Sequence, residues 1–361
     1  MYLIITRSFP PELGGMQNLM WGLTNALSKH YMVKVFADFQ DQHESLDQKV
    51  SFSITRVGGV KLLRKYRKAY LINELLRNNK NIKGVIADHW KSLELIQTNK
   101  KKICLIHSKE INHDKGTRLN KRVLNVLNNT DNIISNSIYT KDLAISCGVN
   151  INKITVINPG INPAEELDKS ELNNAESILK NKNPRLITVS RFDKRKNHEK
   201  IIMIIRNLKE IYPNIIYTCV GYGDEEENLK KLVKELNLDE QVVFIKNISN
   251  NIKNALVAKS NIFVMPSIIY KKSVEGFGIA FIEAAQYGVP SLGGLDGGAA
   301  DAIINDQTGI LCNGNNLDEI HNSIEKMLTN KKYEELGKNA KENSKNFYWD
   351  KIILEYKKIL N

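Results

Sequence analysis

The segment SVEGFGIAFIEAAQYGVP, residues 273–290, sets two glutamates eight positions apart. Glu275 precedes a Gly276-Phe277-Gly278 turn, and Glu283 lies inside the run that follows it. Residues 278–287 read as a helix, stopped by Gly288 and Pro290. A glycine turn that opens a helix leaves unpaired N–H groups and the positive end of the helix dipole facing the turn, and both attract a diphosphate. Glu283 interrupts an otherwise apolar stretch of Ile279, Ala280, Phe281, Ile282, Ala284 and Ala285. A carboxylate buried there is costly unless donors reach it, and ribose hydroxyls are suitable donors. Three other places put chemistry beside an apolar run: Gly14 and Gly15 after the first, His107 at the end of LIH, and the basic loop RFDKRK at 191–196.

Such residues need elements to hold them. At 361 residues the chain suits two α/β domains better than one, and a hydrophobic share of 42% gives each half a core. Apolar runs at 2–6, 32–37, 85–87, 103–107, 132–135 and 154–157 alternate with helical stretches. One of these, 17–28, carries Leu19, Met20, Leu23 and Leu27 on one face. A polar stretch at 162–184 reads as a linker with a short helix. A second series follows at 185–190, 215–220, 242–245, 262–265 and 290–293, separated by helices at 198–212, 225–237 and 278–287. The alternation predicts parallel sheets covered by helices. The fold class is therefore α/β, with two Rossmann-like doubly wound domains facing a central cleft and ligands beyond the carboxyl ends of the strands. The expected boundaries are 1–165 and 166–345, with an amphipathic helix at 346–361 that either crosses back to the first domain or lies on the second. The longest apolar runs, such as 201–205, span about a quarter of the roughly 20 residues a bilayer crossing needs. The N-terminus reads as a first strand rather than a secretory leader. Four scattered cysteines without a CxxC pair suit a reducing, cytoplasmic compartment.

The 273–290 segment resembles the paired-glutamate motif of the family 4 retaining glycosyltransferases. In that family the first glutamate contacts the donor sugar and the second the ribose of the nucleotide; the matching positions are Glu275 and Glu283, with Gly276, Phe277 and Gly278 forming the turn. SRFDKRKNHEKII resembles the strand-end motif whose Arg and Lys hold the donor diphosphate, which assigns Arg191 and Lys196. Two cations there stabilise the leaving group as the sugar–phosphate bond breaks. FPPELGGMQN resembles the family's first loop, where Gly14 and Gly15 let the backbone approach the donor without a Cβ in the way. LIHSKE resembles the strand that delivers an active-site histidine, His107. VGYGDEEENL, IISNSIYTKD, VINPGIN, GGLDGGAADAI and DQTGIL resemble further landmarks in the same order, so the likeness covers nearly the whole chain. VVFIKN resembles the strand and loop against which the base packs, with Lys246 or Asn247 where a glycine is common; near Asp301 the family's usual glutamate is replaced. The resemblance implies a glycosyltransferase-B architecture with an N-terminal acceptor domain and a C-terminal nucleotide-sugar domain. It assigns His107 and Glu275 as catalytic residues and implies transfer with retention of configuration. No DxD pair or His/Cys cluster points to a metal, and the expectation is a nucleoside-diphosphate sugar as co-substrate with no further cofactor.

The net charge of +12 lies almost wholly in the first half, where residues 1–165 hold 24 Lys and Arg against 13 Asp and Glu. Much of it falls at 61–83, where Lys61, Arg64, Lys65, Arg67 and Lys68 are interleaved with Leu62, Leu63, Tyr66 and Tyr70. That mixture fits an interfacial helix on an anionic membrane. The expected partners are thus a nucleotide-sugar donor, a lipid acceptor and the inner membrane face. A UDP-hexose, glucose first, and diacylglycerol are the leading substrates. A glycan acceptor of lipopolysaccharide or polysaccharide assembly is the nearest alternative. A sugar-nucleotide epimerase and a basic nucleic-acid-binding protein are alternatives of other classes; the latter leaves Glu275 and Glu283 unexplained and lacks interleaved recognition motifs.

Overall fold

A computed structural model describes residues 1–361 apart from Leu13. The chain forms two compact units, Met1–Asn162 with Phe347–Asn361, and Pro163–Asn346. The first contains a seven-stranded sheet in the order β3-β2-β1-β4-β5-β6-β7. Its strands are β1 (Tyr2–Ile5), β2 (Val33–Asp38), β3 (Ser53–Val57), β4 (Gly84–Ala87), β5 (Lys101–Ile106), β6 (Asn132–Ser135) and β7 (Ile154–Val156). The second contains a six-stranded sheet in the order β10-β9-β8-β11-β12-β13. These are β8 (Arg185–Val189), β9 (Ile216–Val220), β10 (Val242–Ile245), β11 (Ile262–Met265), β12 (Ser291–Gly294) and β13 (Gly309–Cys312). Every strand pairing is parallel. The central strands read as apolar runs because helices cover both faces of such sheets.

Strand order reverses between β1 and β4 in the first sheet and between β8 and β11 in the second. Two edge strands, β3 and β13, escaped the periodicity. Ser53, Thr55 and Arg56 give β3 a half-exposed, polar character, and β13 is only four residues of GILC after a turn.

The first unit packs its sheet between two clusters, one around Leu3, Trp90 and Ile106, the other around Ile4, Leu23 and Leu105. The helix Trp349–Leu360 completes the second of these with Trp349, Ile353, Tyr356 and Leu360. Glycine makes that docking possible: a Cβ on Gly22 or Gly160 would stand 2.1 or 2.5 Å from the Trp349 indole. The Tyr2 hydroxyl donates to Leu360 O at 2.7 Å, tying the first strand to the last turn. The chain also leaves this unit beside the point where it returns, with Ile161 N–H donating to Phe347 O and Trp349 N–H to Ile161 O. The second unit has its own core, centred on Ile201, Ile205, Tyr217, Val264, Leu292 and Ile324.

The basic stretch folds as a 3-10 turn, Lys61–Leu63, running into the helix Arg64–Asn78. Leu62, Leu63, Tyr66 and Tyr70 are exposed, as are Lys61, Lys65 and Arg67. Arg64 folds back onto Gly59 O and Arg67 onto Gly58 O, each at 3.0 Å. Lys68 corrects the expectation of a surface role. It is 4% exposed, and its ammonium donates to Thr6 O at 2.6 Å and pairs with Asp38, so it anchors the helix to the sheet rather than meeting a membrane.

Candidate functional site

In the second unit the site forms where β8 and β11 diverge, the place at which open α/β sheets receive ligands. After β8 the chain makes the 3-10 turn Lys194–Lys196, capped by Asp193, whose carboxylate accepts from Lys196 N–H at 3.2 Å. Asn197 closes the turn with φ of 65°, a left-handed conformation asparagine tolerates, and donates to Pro266 O at 2.9 Å and Gly314 O at 2.7 Å. The turn thereby aims two cations at one acid. Arg195 Nη1 donates to Glu275 Oε2 at 2.7 Å, and Lys196 Nζ meets the same oxygen. Burial raises the Glu275 pKa, but Lys196 and Arg195 outweigh it and hold the carboxyl ionised at about 2. Burial lowers the Lys196 pKa, and the Glu275 charge opposes that.

Glu275 is fixed from behind by the loop after β12. Gly298 N–H donates to Glu275 O at 2.8 Å, and Gly297, at φ of 97°, approaches so closely that a Cβ would lie 2.5 Å from that oxygen. The helix Ile279–Gln286 begins at Gly278, φ 91°; Phe281 N–H turns back onto Gly278 O at 2.9 Å, and the N–H groups of Ile279 and Ala280 lie ahead of the first carbonyl the helix could offer them. Two buried donors at this edge, Arg195 Nε and Ser267 Oγ, are without a hydrogen-bond partner among the described residues. Unsatisfied donors beside paired cations are groups that an anionic, oxygen-rich ligand would satisfy.

Beneath the loop lies a polar chain whose direction is set at its Thr188 end. Thr188 Oγ1 donates to Val264 O, so it accepts from the Tyr217 hydroxyl at 2.8 Å. Tyr217 in turn accepts from His198 Nδ1 at 2.8 Å, and His198 Nε2 lies 3.0 Å from Ser190 Oγ, whose hydrogen also reaches Arg191 O at 3.2 Å. Burial and the nearby Lys196 hold His198 neutral, with a pKa of about 3. The chain clamps both ends of the 190–198 loop to the sheet.

Of the residues expected in this unit, Lys196, Glu275, Gly276, Phe277 and Gly278 fall on the loops around that pair. Glu283 sits half-buried in the helix that follows, with no hydrogen-bond partner among the described residues. Arg191 is exposed at the start of the loop and does not touch Glu275. Arg195, passed over in the sequence, takes the place beside Lys196. The signal available was the Arg-Lys doublet two residues beyond an aspartate able to cap a turn.

In the first unit His107 closes β5. Its backbone N–H donates to Glu110, and its Nε2 lies 3.0 Å from Asp88 O, an acceptor that places a proton on Nε2. Under it is a cavity of about 10 Å³, lined by Leu105, Ile134, Asn136, Ile157 and Tyr356. Gly14 and Gly15 open the helix Gly15–Ser28. Space beside Gly15 is clear, whereas a Cβ on Gly14 would meet the Gln17 side chain at 2.4 Å.

Two family models divide the chain between them: glycosyltransferase family 4 over residues 13–165 and glycosyl transferases group 1 over residues 169–344. The chain is a family 4 glycosyltransferase. Its relatives include the GDP-mannose-dependent alpha-(1-6)-phosphatidylinositol monomannoside mannosyltransferase of Mycolicibacterium smegmatis, 23% identical, the alignment covering 90% of this chain and 88% of that one. An uncharacterised glycosyltransferase of Methanocaldococcus jannaschii is 30% identical over 65% of this chain and 59% of its own length. Among solved structures, HepE of Anabaena in complex with UDP-glucose superposes with a TM-score of 0.82 at 16% identity, covering 100% of this chain and 99% of that one. Sucrose-phosphate synthase of Thermosynechococcus elongatus superposes with a TM-score of 0.81 at 20% identity, covering 99% and 97%. The glycosyltransferase is thus a hexosyl-transferring enzyme of the glycosyltransferase-B type, two parallel α/β units in one chain.

Proposed function

We propose that this glycosyltransferase moves a hexosyl group, with retention of configuration, from a nucleoside-diphosphate sugar to a lipid acceptor at a membrane surface. The observation that carries the donor half is the Glu275 carboxylate held between Arg195 and Lys196 at the mouth of a helix. Two cations and the first-turn N–H groups suit a diphosphate, and they supply its neutralisation without a metal ion. Glu275 then positions sugar hydroxyls, Glu283 accepts from the ribose, and Arg191, exposed on the same loop, swings onto the diphosphate when it arrives. In the reaction the bond from the anomeric carbon to the diphosphate oxygen breaks. The acceptor oxygen attacks from the same face, and its proton passes to the departing phosphate. His107 is assigned to the developing positive charge of the sugar by its resemblance to the family's active-site histidine.

UDP-glucose is the first donor to test. GDP-mannose is the second, favoured by the mannosyltransferase relatives. The membrane half rests on the exposed stripe of Leu63, Tyr66 and Tyr70 flanked by Lys61, Lys65 and Arg67. No helix is long and apolar enough to cross a membrane, among the described residues. The deciding experiment incubates the enzyme with each sugar nucleotide and, side by side, vesicles of diacylglycerol or phospholipid and water-soluble glycans, reading products by mass spectrometry. A glycolipid gaining one hexose is expected; transfer only to water-soluble glycans would overturn the lipid reading, and donor conversion without acceptor would favour an epimerase.

A further inference from the structure

The reversal of strand order between β1 and β4 brings a second set of residues to one edge of the first unit. β1 leads into Thr6 and Arg7, β4 into Asp88, His89 and Lys91, and the neighbouring β5 into His107. Each carboxylate nearby is already engaged. Asp88 accepts from Thr6 Oγ1 at 2.9 Å, from Arg7 backbone N–H at 2.8 Å and from Ser92 Oγ at 2.7 Å. Glu110 accepts from His107 N–H. Glu94 takes the Arg122 guanidinium in a two-pronged bond of 2.8 and 2.9 Å, with Lys65 at 3.8 Å. The Arg7 and Lys91 side chains have no carboxylate partner among the described residues.

These cations are also crowded. The Lys91 ammonium and the Arg122 guanidinium lie 5.3 and 5.5 Å from the centre of the same Trp90 ring. Burial, then the charges of Arg7 and Arg122, push the Lys91 pKa down. Burial, then Arg7, drive His89 to about 3, and its Nδ1 accepts from Lys91 N–H at 2.9 Å. Glu94 opposes the shift of Lys91 but is already taken up by Arg122 and Lys65, so the repulsion among these cations is only partly offset, and an arriving anion relieves it.

We propose that this edge is an anion subsite in which Arg7 and Lys91 hold a phosphate group carried by the acceptor. The inference rests on the transferase reading and narrows it, because diacylglycerol has no phosphate to offer. Lys65 connects the subsite to the exposed stripe: it stands on the helix that displays Tyr66 and Tyr70 and shares Glu94 with Arg122. An acceptor with its chains against that stripe and its phosphate on Arg7 and Lys91 presents its headgroup beside His107.

Calorimetry on the full chain tests this without sugar donor, so its outcome is separate from that of the transfer assay. The probes are dihexanoyl phosphatidate, dihexanoylglycerol, inorganic phosphate, UDP and GDP. Phosphatidate is expected to bind at least ten-fold more tightly than the uncharged lipid. Arg7→Gln with Lys91→Gln is expected to erase that preference, Arg7→Lys to keep it, and UDP or GDP affinity and the melting temperature to stay in place. Equal affinity for the two lipids would overturn the subsite. Loss of UDP or GDP binding in the double variant would assign the cations to the donor instead. Inorganic phosphate binding as tightly as phosphatidate would reduce the edge to a free-anion site and remove the acceptor from it.

Discussion

Glu275 is an internal anion paired with Arg195 and Lys196, the two cations proposed for the diphosphate. Removing its charge leaves Arg195 and Lys196 with Asp193, 3.8 Å from Arg195, as their nearest counter-charge, and breaking a buried pair from one side costs up to about 3–5 kcal/mol. Glu275→Gln is therefore expected to melt earlier than the parent. It is also expected to bind UDP or GDP at least as tightly, because no carboxylate competes for the cations, while transfer falls about 100-fold. Parallel loss of nucleotide binding and transfer would show that Glu275 supports the diphosphate rather than standing in for it. His198 makes a second prediction at this scale. Its pKa is about 3 in the folded chain, against an ordinary 6.5. The unfolded chain takes up the proton first, so His198 leaves stability unchanged above about pH 6.5. As pH falls from there toward 3 it subtracts about 1.4 kcal/mol per pH unit. Denaturation between pH 7 and pH 4 should show His198→Gln losing one proton's worth of that slope; an unchanged slope would refute the buried neutral histidine.

The elements explain why some residues of the site could be read in advance and others could not. The GFG turn and the helix after it were legible because glycine, apolar run and terminating Gly-Val-Pro sit within one segment. Which cation meets Glu275 was not, since the 3-10 turn at Lys194–Lys196 rotates Arg195 inward and leaves Arg191 outside, and that rotation depends on Asp193 and Asn197 bonding to distant loops. Lys68 was misplaced for a similar reason. In a stretch with five cations the buried one is set by the helical face, which Lys68 shares with Ala69 and Ile72. The edge strand β3 lacked the apolar continuity that marks covered strands, and β13 is a short apolar run directly after a turn. The loop after β12 offers its own test. Gly297→Ala places a methyl against Glu275 O in a backbone region where alanine is strained, so Glu275 must shift. A loss of kcat of ten-fold or more is expected with the melting transition retained; wild-type turnover would mean the loop does not set Glu275.

For the whole molecule, the charge asymmetry read from composition resolves into two different uses. Lys61, Lys65 and Arg67 flank an exposed aromatic and aliphatic stripe, whereas Lys68 and Arg56 are internal ties, to Asp38 and Asp47. Replacing Tyr66 and Tyr70 by Ser removes apolar contact without altering charge. Sedimentation with anionic vesicles is expected to weaken by about ten-fold, while activity on a soluble short-chain acceptor is preserved. Unchanged sedimentation would place the membrane contact elsewhere.

The helix Trp349–Leu360 gives the chain an unusual order of completion during synthesis. The segment Pro163–Asn346 can gather all of its own core as it emerges from the ribosome, although it is encoded later than most of the first unit. The earlier residues must wait with Leu23, Leu27 and Ile4 short of their partners until residue 360 has appeared. Domains usually mature from the N-terminus onward. Here the nascent N-terminal part is the last to close, and it is the part a stalled or shortened translation product would leave open to chaperones and proteases.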